Sequence, residues 1–332
     1  MKALVLNEIK RPLDFEDRPG PVGEEGEVIV RLRAAALNRR DYWITQGLYP
    51  AIRCPVILGS DGAGIVAASS GGADSSWQGR EVIINPGYGW GDKSTVQGPD
   101  FRILGMPDDG TFAEEIAVPT TQLYPKPDHL GWEEAAALPL AGLTAYRALF
   151  SQGKLQKGEK VLITGIGGGV ASIAMQLATA AGAAVFVTSS SQVKIDRAVS
   201  MGAAAGFDYT ESEWAESLTS QHGSIDLIID GAGGTGYSAL IDVASAGGRI
   251  VNYGATAGAP DTIELRKVFW KQLHLVGSTM GSGEDFEAML EMVNQFRIKP
   301  VIDHVFPLSK GNEALQRMET SPQFGKLVLR TT

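Results

Sequence analysis

Cysteine is nearly missing from this chain: Cys54 is the only one in 332 residues. A single thiol forms no intrachain disulfide, and this composition suits a reducing cytoplasm. No stretch reaches the roughly 18 consecutive apolar residues that a membrane span needs. The opening MKALVLNEIK acquires charges too early for a secretory signal. Basic charge is in deficit, with 29 Lys and Arg against 38 Asp and Glu. The resulting net charge of −9 disfavours nucleic acid and anionic membranes as partners. Repeats and low-complexity tracts are absent too. What is present, 44% hydrophobic and 20% charged residues, describes a globular protein long enough for two domains.

The chain is organised around residues 160–180, KVLITGIGGGVASIAMQLATA. Val161, Leu162 and Ile163 form a short β-rich run, four glycines follow at 165 and 167–169, and an Ala-rich segment with helical spacing comes next. Strand, glycine turn and helix form the context of a dinucleotide fingerprint. The glycines allow a sharp turn and a close approach to a pyrophosphate, which the free N–H groups at the helix start then hold. Two registers are open. Gly165, Gly167 and Val170 break the pattern at its last position, whereas Gly165, Gly168 and Ala171 keep a small residue there; the second is preferred. Gly165, Gly167, Gly168, Gly169 and Val170 are therefore the expected phosphate-binding turn.

Residues 1–37 read as β structure, with Val28, Val30, Leu32 and Ala34 alternating against polar neighbours. Asn38 to Pro50 reads as a loop with a short helix. Pro55 to Ala68 is a strand interrupted by Gly59, Gly62 and Gly64. Another strand spans 80–85, and 86–110 is a long loop carrying Tyr88, Trp90 and Phe101. Residues 111–118 return to strand character, and 132–150 read as helix, loop, helix. From Lys160 the pattern alternates strand and helix, with strands expected at 160–164, 183–188, 204–208, 225–230, 248–253 and 273–277. This is an α/β chain with a doubly wound parallel sheet. A helix at 285–296 and two short strands close it.

An NAD site of this type places a carboxylate about 20 residues past the fingerprint, on the adenosine ribose. Here the second strand ends in Ser189, Ser190 and Ser191, with Lys194 behind, and the first carboxylate is Asp196. Hydroxyls and a lysine suit a 2′-phosphate, so NADP(H) is expected through Ser189, Ser190 and Lys194. The serines can equally cap the next helix.

Taken together, these segments resemble the medium-chain dehydrogenase/reductase superfamily over essentially the whole length. GSDGAG at 59–64, DGTFAE at 109–114, LAGLTAYRAL at 140–149 and FGKLVL at 324–329 carry the likeness with the glycine turn. Within the superfamily the chain is similar to the zinc-free quinone oxidoreductase branch. The resemblance implies a GroES-like β-rich catalytic domain over 1–126 and 286–332, a Rossmann NADP-binding domain over 127–285, and an active site in their cleft. Zinc alcohol dehydrogenases hold their metal with two cysteines and a histidine, and the matching positions here are Asn38, Ser60 and Leu140. The lobe matching 86–110 lacks the four cysteines of structural zinc. His129, His222, His274 and His304 fall at no ligand position, so no zinc is expected.

Without a metal the chemistry runs toward reduction: hydride passes to a quinone or an α,β-unsaturated carbonyl, and a hydrogen-bond donor steadies the resulting oxyanion. That role is expected of Asn38 and Tyr49, both of which match family positions, with Tyr42 and Thr144 in reserve, and solvent can supply the proton. It leaves Asp61 structural. Asn38 can alternatively cap a helix, Asp41 can do so or pair with Arg39, and Tyr49 can simply pack. Tyr88, Trp90 and Phe101 either line an acceptor pocket or pack the lobe. On the cofactor side, Gly254, Ala255, Thr256, Ser278 and Met280 follow strand ends and are expected near the nicotinamide. The resemblance adds Thr144 and Lys326. It also implies a homodimer through the last Rossmann strand. Two other readings stay open: an alcohol or aldehyde dehydrogenase, and an NADPH-binding protein with a structural or RNA-associated role.

Overall fold

The computed structural model describes residues 1–69 and 75–331. They divide into two compact units, Met1–Ala141 with Gly281–Thr332, and Gly142–Met280.

In the first unit, β1 (Lys2–Leu6), β2 (Asp14–Asp17) and the long β3 (Glu27–Ala36) lead to helix α1 (Arg39–Thr45). Then come β4 (Val56–Ile57), β5 (Asp61–Ser69), β6 (Glu81–Ile84), β7 (Gly87–Tyr88), β8 (Arg102–Ile103), β9 (Glu115–Pro119), β10 (Leu123–Pro125) and helix α2 (Trp132–Ala137). Strand β3 is the axis of this unit. Its sequence EVIVRLRAAA buries alternate residues and then its whole C-terminal end, as a strand covered on both faces must. Along one edge it pairs antiparallel with β5. Its other edge is shared, first by β9 and then by the last strand of the chain.

Helix α3 (Pro139–Tyr146) runs into a π-helical turn, Arg147–Gln152. The second unit then alternates β11 (Lys160–Ile163), α4 (Gly169–Ala180), β12 (Ala184–Ser189), α5 (Gln192–Ser200), β13 (Ala205–Asp208) and α6 (Trp214–His222). It continues with β14 (Ile225–Asp230), α7 (Tyr237–Val243), β15 (Ala244–Asn252), α8 (Leu265–Trp270) and β16 (His274–Gly277). The six strands are all parallel in the order β13-β12-β11-β14-β15-β16, the doubly wound topology. Leu162, Phe186, Ile228 and Ile250 from four of them lie in one apolar core.

The chain returns to the first unit through α9 (Gly283–Phe296), β17 (Ile302–Pro307), α10 (Gly311–Thr320) and β18 (Lys326–Arg330). Helix α10 was not expected. It lets β17 and β18 pair in parallel, which two adjacent strands joined by a tight turn cannot do. The units also divide later than the expected residue 126, at 141/142, and at 280/281 rather than after 285. Helix α2 packs on β3, β5 and β18, so its apolar face belongs to the first unit.

Candidate active site

The β-sheet of the first unit brings three distant polar residues together. In register, Ala36 at the end of β3 pairs with Asp61 of β5 on one side and with Val328 of β18 on the other. Asn38 lies just beyond Ala36, and Lys326 just before Val328. Gly325, at φ +107°, turns the chain into β18; a Cβ there would collide with the Val301 carbonyl oxygen. The Lys326 N–H then donates to that same carbonyl at 2.8 Å, which fixes where its side chain starts.

The resulting cluster is tight. Lys326 Nζ donates to Asn38 Oδ1 at 2.6 Å and to Asp61 Oδ2 at 2.9 Å, and Asn38 Nδ2 donates to Asp61 Oδ2 at 2.9 Å. The other carboxylate oxygen of Asp61 accepts the Leu140 N–H at 2.7 Å, and its main-chain carbonyl accepts Thr111 Oγ1 at 2.8 Å. Asp61 is 0%, Lys326 3% and Asn38 7% exposed, so this ion pair sits out of water. Lys326 is thus a buried partner of Asn38 and Asp61.

Asn38 is also the residue before α1, and Asp41 supplies part of the cap. Asp41 Oδ2 accepts the Asn38 N–H at 2.7 Å. Asp41 does not pair with Arg39, whose guanidinium donates to Met318 O and Ser321 Oγ. Burial pushes the Asp41 carboxyl up to about 6, and Arg40 nearby partly offsets it. Arg40, which the sequence gave no reason to single out, donates to Ser60 Oγ at 2.6 Å and to the Leu104 carbonyl at 2.8 Å. Its guanidinium stacks 5.0 Å from the ring centre of Tyr49 and donates weakly, at 3.4 Å, to the Tyr49 hydroxyl. The Tyr42 hydroxyl donates to Glu319 at 2.9 Å, and that carboxylate raises the phenol's pKa. A phenol already facing an anion is a poor donor to a second one. Tyr88 and Trp90 are buried, Trp90 meets Phe101 edge-on at 5.2 Å, and Arg102 covers Tyr88. Tyr88 packs with Val28, Leu32 and Val82 in the apolar core, so it serves the lobe's packing.

In the second unit, Gly165 adopts φ +62°, a conformation suited to glycine, and its carbonyl accepts the Gly168 N–H at 2.9 Å. Gly168 occupies the N-cap of α4 and brings no side-chain acceptor. The N–H groups of Gly169, Val170 and Ala171 precede the first intrahelical bond, Ser172 N to Gly168 O. Ala171 is buried. At the end of β12, Ser189 is buried and its Oγ accepts the Ser191 N–H at 3.2 Å, while Ser190 is exposed and Lys194 half-buried on α5. Ser191 stands at the N-cap of α5 without a side-chain cap bond.

A second network, unforeseen from the sequence, ties the carboxyl ends of three strands. Buried Asp230 accepts Thr164 Oγ1 at 2.6 Å, Asn252 Nδ2 at 2.9 Å and the Ala232 and Gly233 N–H groups. It fixes the strand ends that precede Gly165 and Gly254. Gly254 itself lies where a Cβ would come within 3.0 Å of the Gly231 carbonyl oxygen. Thr144 is buried with its Oγ1 3.9 Å from the Met280 sulfur, and Met280 holds φ +43°. Ser278 Oγ is buried with no partner among the described residues. Ala255 and Thr256 are exposed.

Such a β-rich unit joined to a doubly wound nucleotide unit defines a class, and the comparisons agree. The model of the alcohol dehydrogenase GroES-like domain matches residues 24–128, and that of the zinc-binding dehydrogenase matches 169–295. The chain belongs to the medium-chain dehydrogenase/reductase superfamily and is an oxidoreductase. It is 35% identical to the zinc-type alcohol dehydrogenase-like protein YogA of Leptosphaeria maculans, across 98% of this chain and 94% of that one. It is 30% identical to the acryloyl-coenzyme A reductase of Sulfurisphaera tokodaii, across 99% and 100%. A solved NAD-dependent alcohol dehydrogenase superposes with a TM-score of 0.95 at 36% identity over the full length of both chains.

Proposed function

We propose that the chain is an NADPH-dependent, zinc-independent reductase whose acceptor is a carbonyl-conjugated double bond: a quinone, an enone or a related thioester. The observation that carries this reading is what stands at the three positions matching zinc ligands. Leu140 offers no side-chain donor. Ser60 Oγ is held by Arg40, and Asn38 by Lys326 and Asp61. Two protein cations at these residues, and no thiolate or imidazole, do not fit a zinc ion. Among the described residues no group of three His, Cys, Asp or Glu side chains is placed to hold a metal.

The dinucleotide does fit. The uncapped N-terminus of α4 and the left-handed Gly165 suit a pyrophosphate, and Ser189, Ser190 and Lys194 suit a 2′-phosphate. When bound, the reduced nicotinamide supplies a hydride. On the acceptor side the chain's task is to orient the conjugated carbonyl and to meet the charge that collects on its oxygen. Asn38 contributes an amide N–H, and Tyr49 a hydroxyl that Arg40 polarises. The acryloyl-coenzyme A reductase among the relatives supports an alkene conjugated to a carbonyl. The test is NADPH oxidation against quinones, enones, enoyl thioesters and aldehydes, with NADH in parallel. Faster turnover of the conjugated acceptors, insensitive to chelators, is the expected outcome. An alcohol dehydrogenase, the reading that the solved relative's description favours, would instead require bound metal and lose turnover on chelation.

The same reading includes a homodimer through the free edge of β16, where α8 exposes Leu265, Phe269 and Trp270. In the described residues no helix is long and apolar enough to cross a membrane.

A further inference from the structure

Counting hydrogens around Asp61 leaves two donors over. An ammonium has three N–H groups, and Lys326 uses two, on Asn38 Oδ1 and Asp61 Oδ2. A carboxamide has two, and Asn38 uses one, on the same Asp61 oxygen. The third N–H of Lys326 and the second of Asn38 have no acceptor among the described residues. Both nitrogens lie 2.9 Å from one Asp61 oxygen, so the two unused donors belong to one small, buried cluster in which the ammonium is paired with a carboxylate.

We propose that Lys326 is a catalytic residue: its ammonium, with the Asn38 amide beside it, holds the oxygen of the acceptor as that oxygen becomes negative. This rests on the reductase reading above and gives that site its electrophile. In that reduction the β-carbon of the acceptor gains a hydride as a new C–H bond, and the nicotinamide is oxidised by two electrons. The alkene pair moves between the α-carbon and the carbonyl carbon, and the carbonyl π pair moves to oxygen, giving an enolate. A proton from water then adds at the α-carbon. Lys326 forms no covalent bond. It supplies, from inside the fold, the positive charge that a Lewis-acid metal provides in a metal-dependent enzyme. Asp61 positions the ammonium, and its own bonds to Leu140 and Thr111 keep the pair from moving.

The test separates charge-holding from turnover by using 4-nitrophenol, which absorbs visible light only as the phenolate. The full chain, with and without NADP⁺, is titrated with the probe below the probe's pKa in water. Wild type is expected to raise the bound phenolate fraction about tenfold over the free probe. Lys326→Met combined with Asp61→Asn, which leaves no uncompensated buried charge, is expected to lose that signal while still binding NADPH. Lys326→Arg retains most of it. No phenolate band in the wild type, or an undiminished band in the neutral double variant, overturns the proposal. In parallel, Lys326→Met is expected to lower enone kcat about 100-fold with a smaller change in NADPH affinity. A wild type that binds the phenolate yet reduces no conjugated acceptor overturns the reductase reading and leaves the anion-holding role of Lys326 standing.

Discussion

Asp41 is wholly buried, yet only Oδ2 of its carboxyl has a partner; Oδ1 has none among the described residues. Burial raises its pKa from 3.8 to about 6, so the folded chain holds this proton more tightly than the unfolded one. The stabilisation from that proton is complete below about pH 4 and is lost as pH rises through about 6. Asp41→Asn keeps an oxygen for the Asn38 N–H and removes the titration. Relative to wild type it is expected to gain up to about 3 kcal/mol between pH 4 and 7. Urea midpoints of both proteins at the two pH values check this; a constant difference would mean that Asp41 does not titrate in that window. Asn38 contributes differently, because its carboxamide bonds Lys326 and Asp61 and has one N–H without an acceptor among the described residues. Asn38→Ala is expected to lower kcat by about 10- to 100-fold while NADPH affinity changes less. A larger loss of affinity than of turnover would return Asn38 to a capping role.

At the scale of elements, the proposed preference for NADPH rests on the end of β12. Ser190 is exposed there, one residue after buried Ser189. A carboxylate at this point would repel a 2′-phosphate and accept a ribose hydroxyl instead. Ser190→Asp is therefore expected to raise the KM for NADPH at least tenfold and to leave that for NADH unchanged or lower; steady-state kinetics with both coenzymes decide it, and equal shifts would remove the serine–lysine reading. The strands flanking this turn were legible in the sequence because parallel buried strands are short β-branched runs between helix-length segments. The first unit was harder to read. Helix α10 carries Ala314, Leu315 and Met318 toward the core, but its ten residues lie between two short strands and make a weak periodic signal. The Asn38–Asp61–Lys326 cluster was less legible still, because it depends on β3 pairing with partners from opposite ends of the chain. Asn38 stood out through its family position, and Lys326 only as a cofactor neighbour. Arg40 and Asp230 gave no signal, since a polar residue in a loop or at a strand end reads as solvated until its partners are placed.

At the scale of the whole molecule, the unpartnered edge of the parallel sheet sets the last expectation. Among the described residues β16 ends the strand order, so one of its edges has no strand partner there. The preceding helix leaves Phe269 65% and Trp270 81% exposed, and Leu275 of β16 is exposed as well. An open sheet edge beside a cluster of large apolar side chains attracts a second copy unless charge or proline blunts it. Arg266 and Lys267 of α8, and Lys271 just after it, are engaged with Glu264, Asp242 and main-chain carbonyls on their own chain. Two copies each carrying −9 repel, so apolar burial must outweigh that repulsion and salt should help rather than hinder. The full chain is accordingly expected to run as a dimer in light scattering, with a dissociation constant that tightens between low and moderate ionic strength. Combining Trp270→Glu with Leu275→Lys should give a monomer with an unchanged circular dichroism spectrum, because neither side chain belongs to the core. A wild type that stays monomeric at tens of micromolar, or a double variant that still dimerises, would place the contact elsewhere and leave the exposed face of α8 without this role.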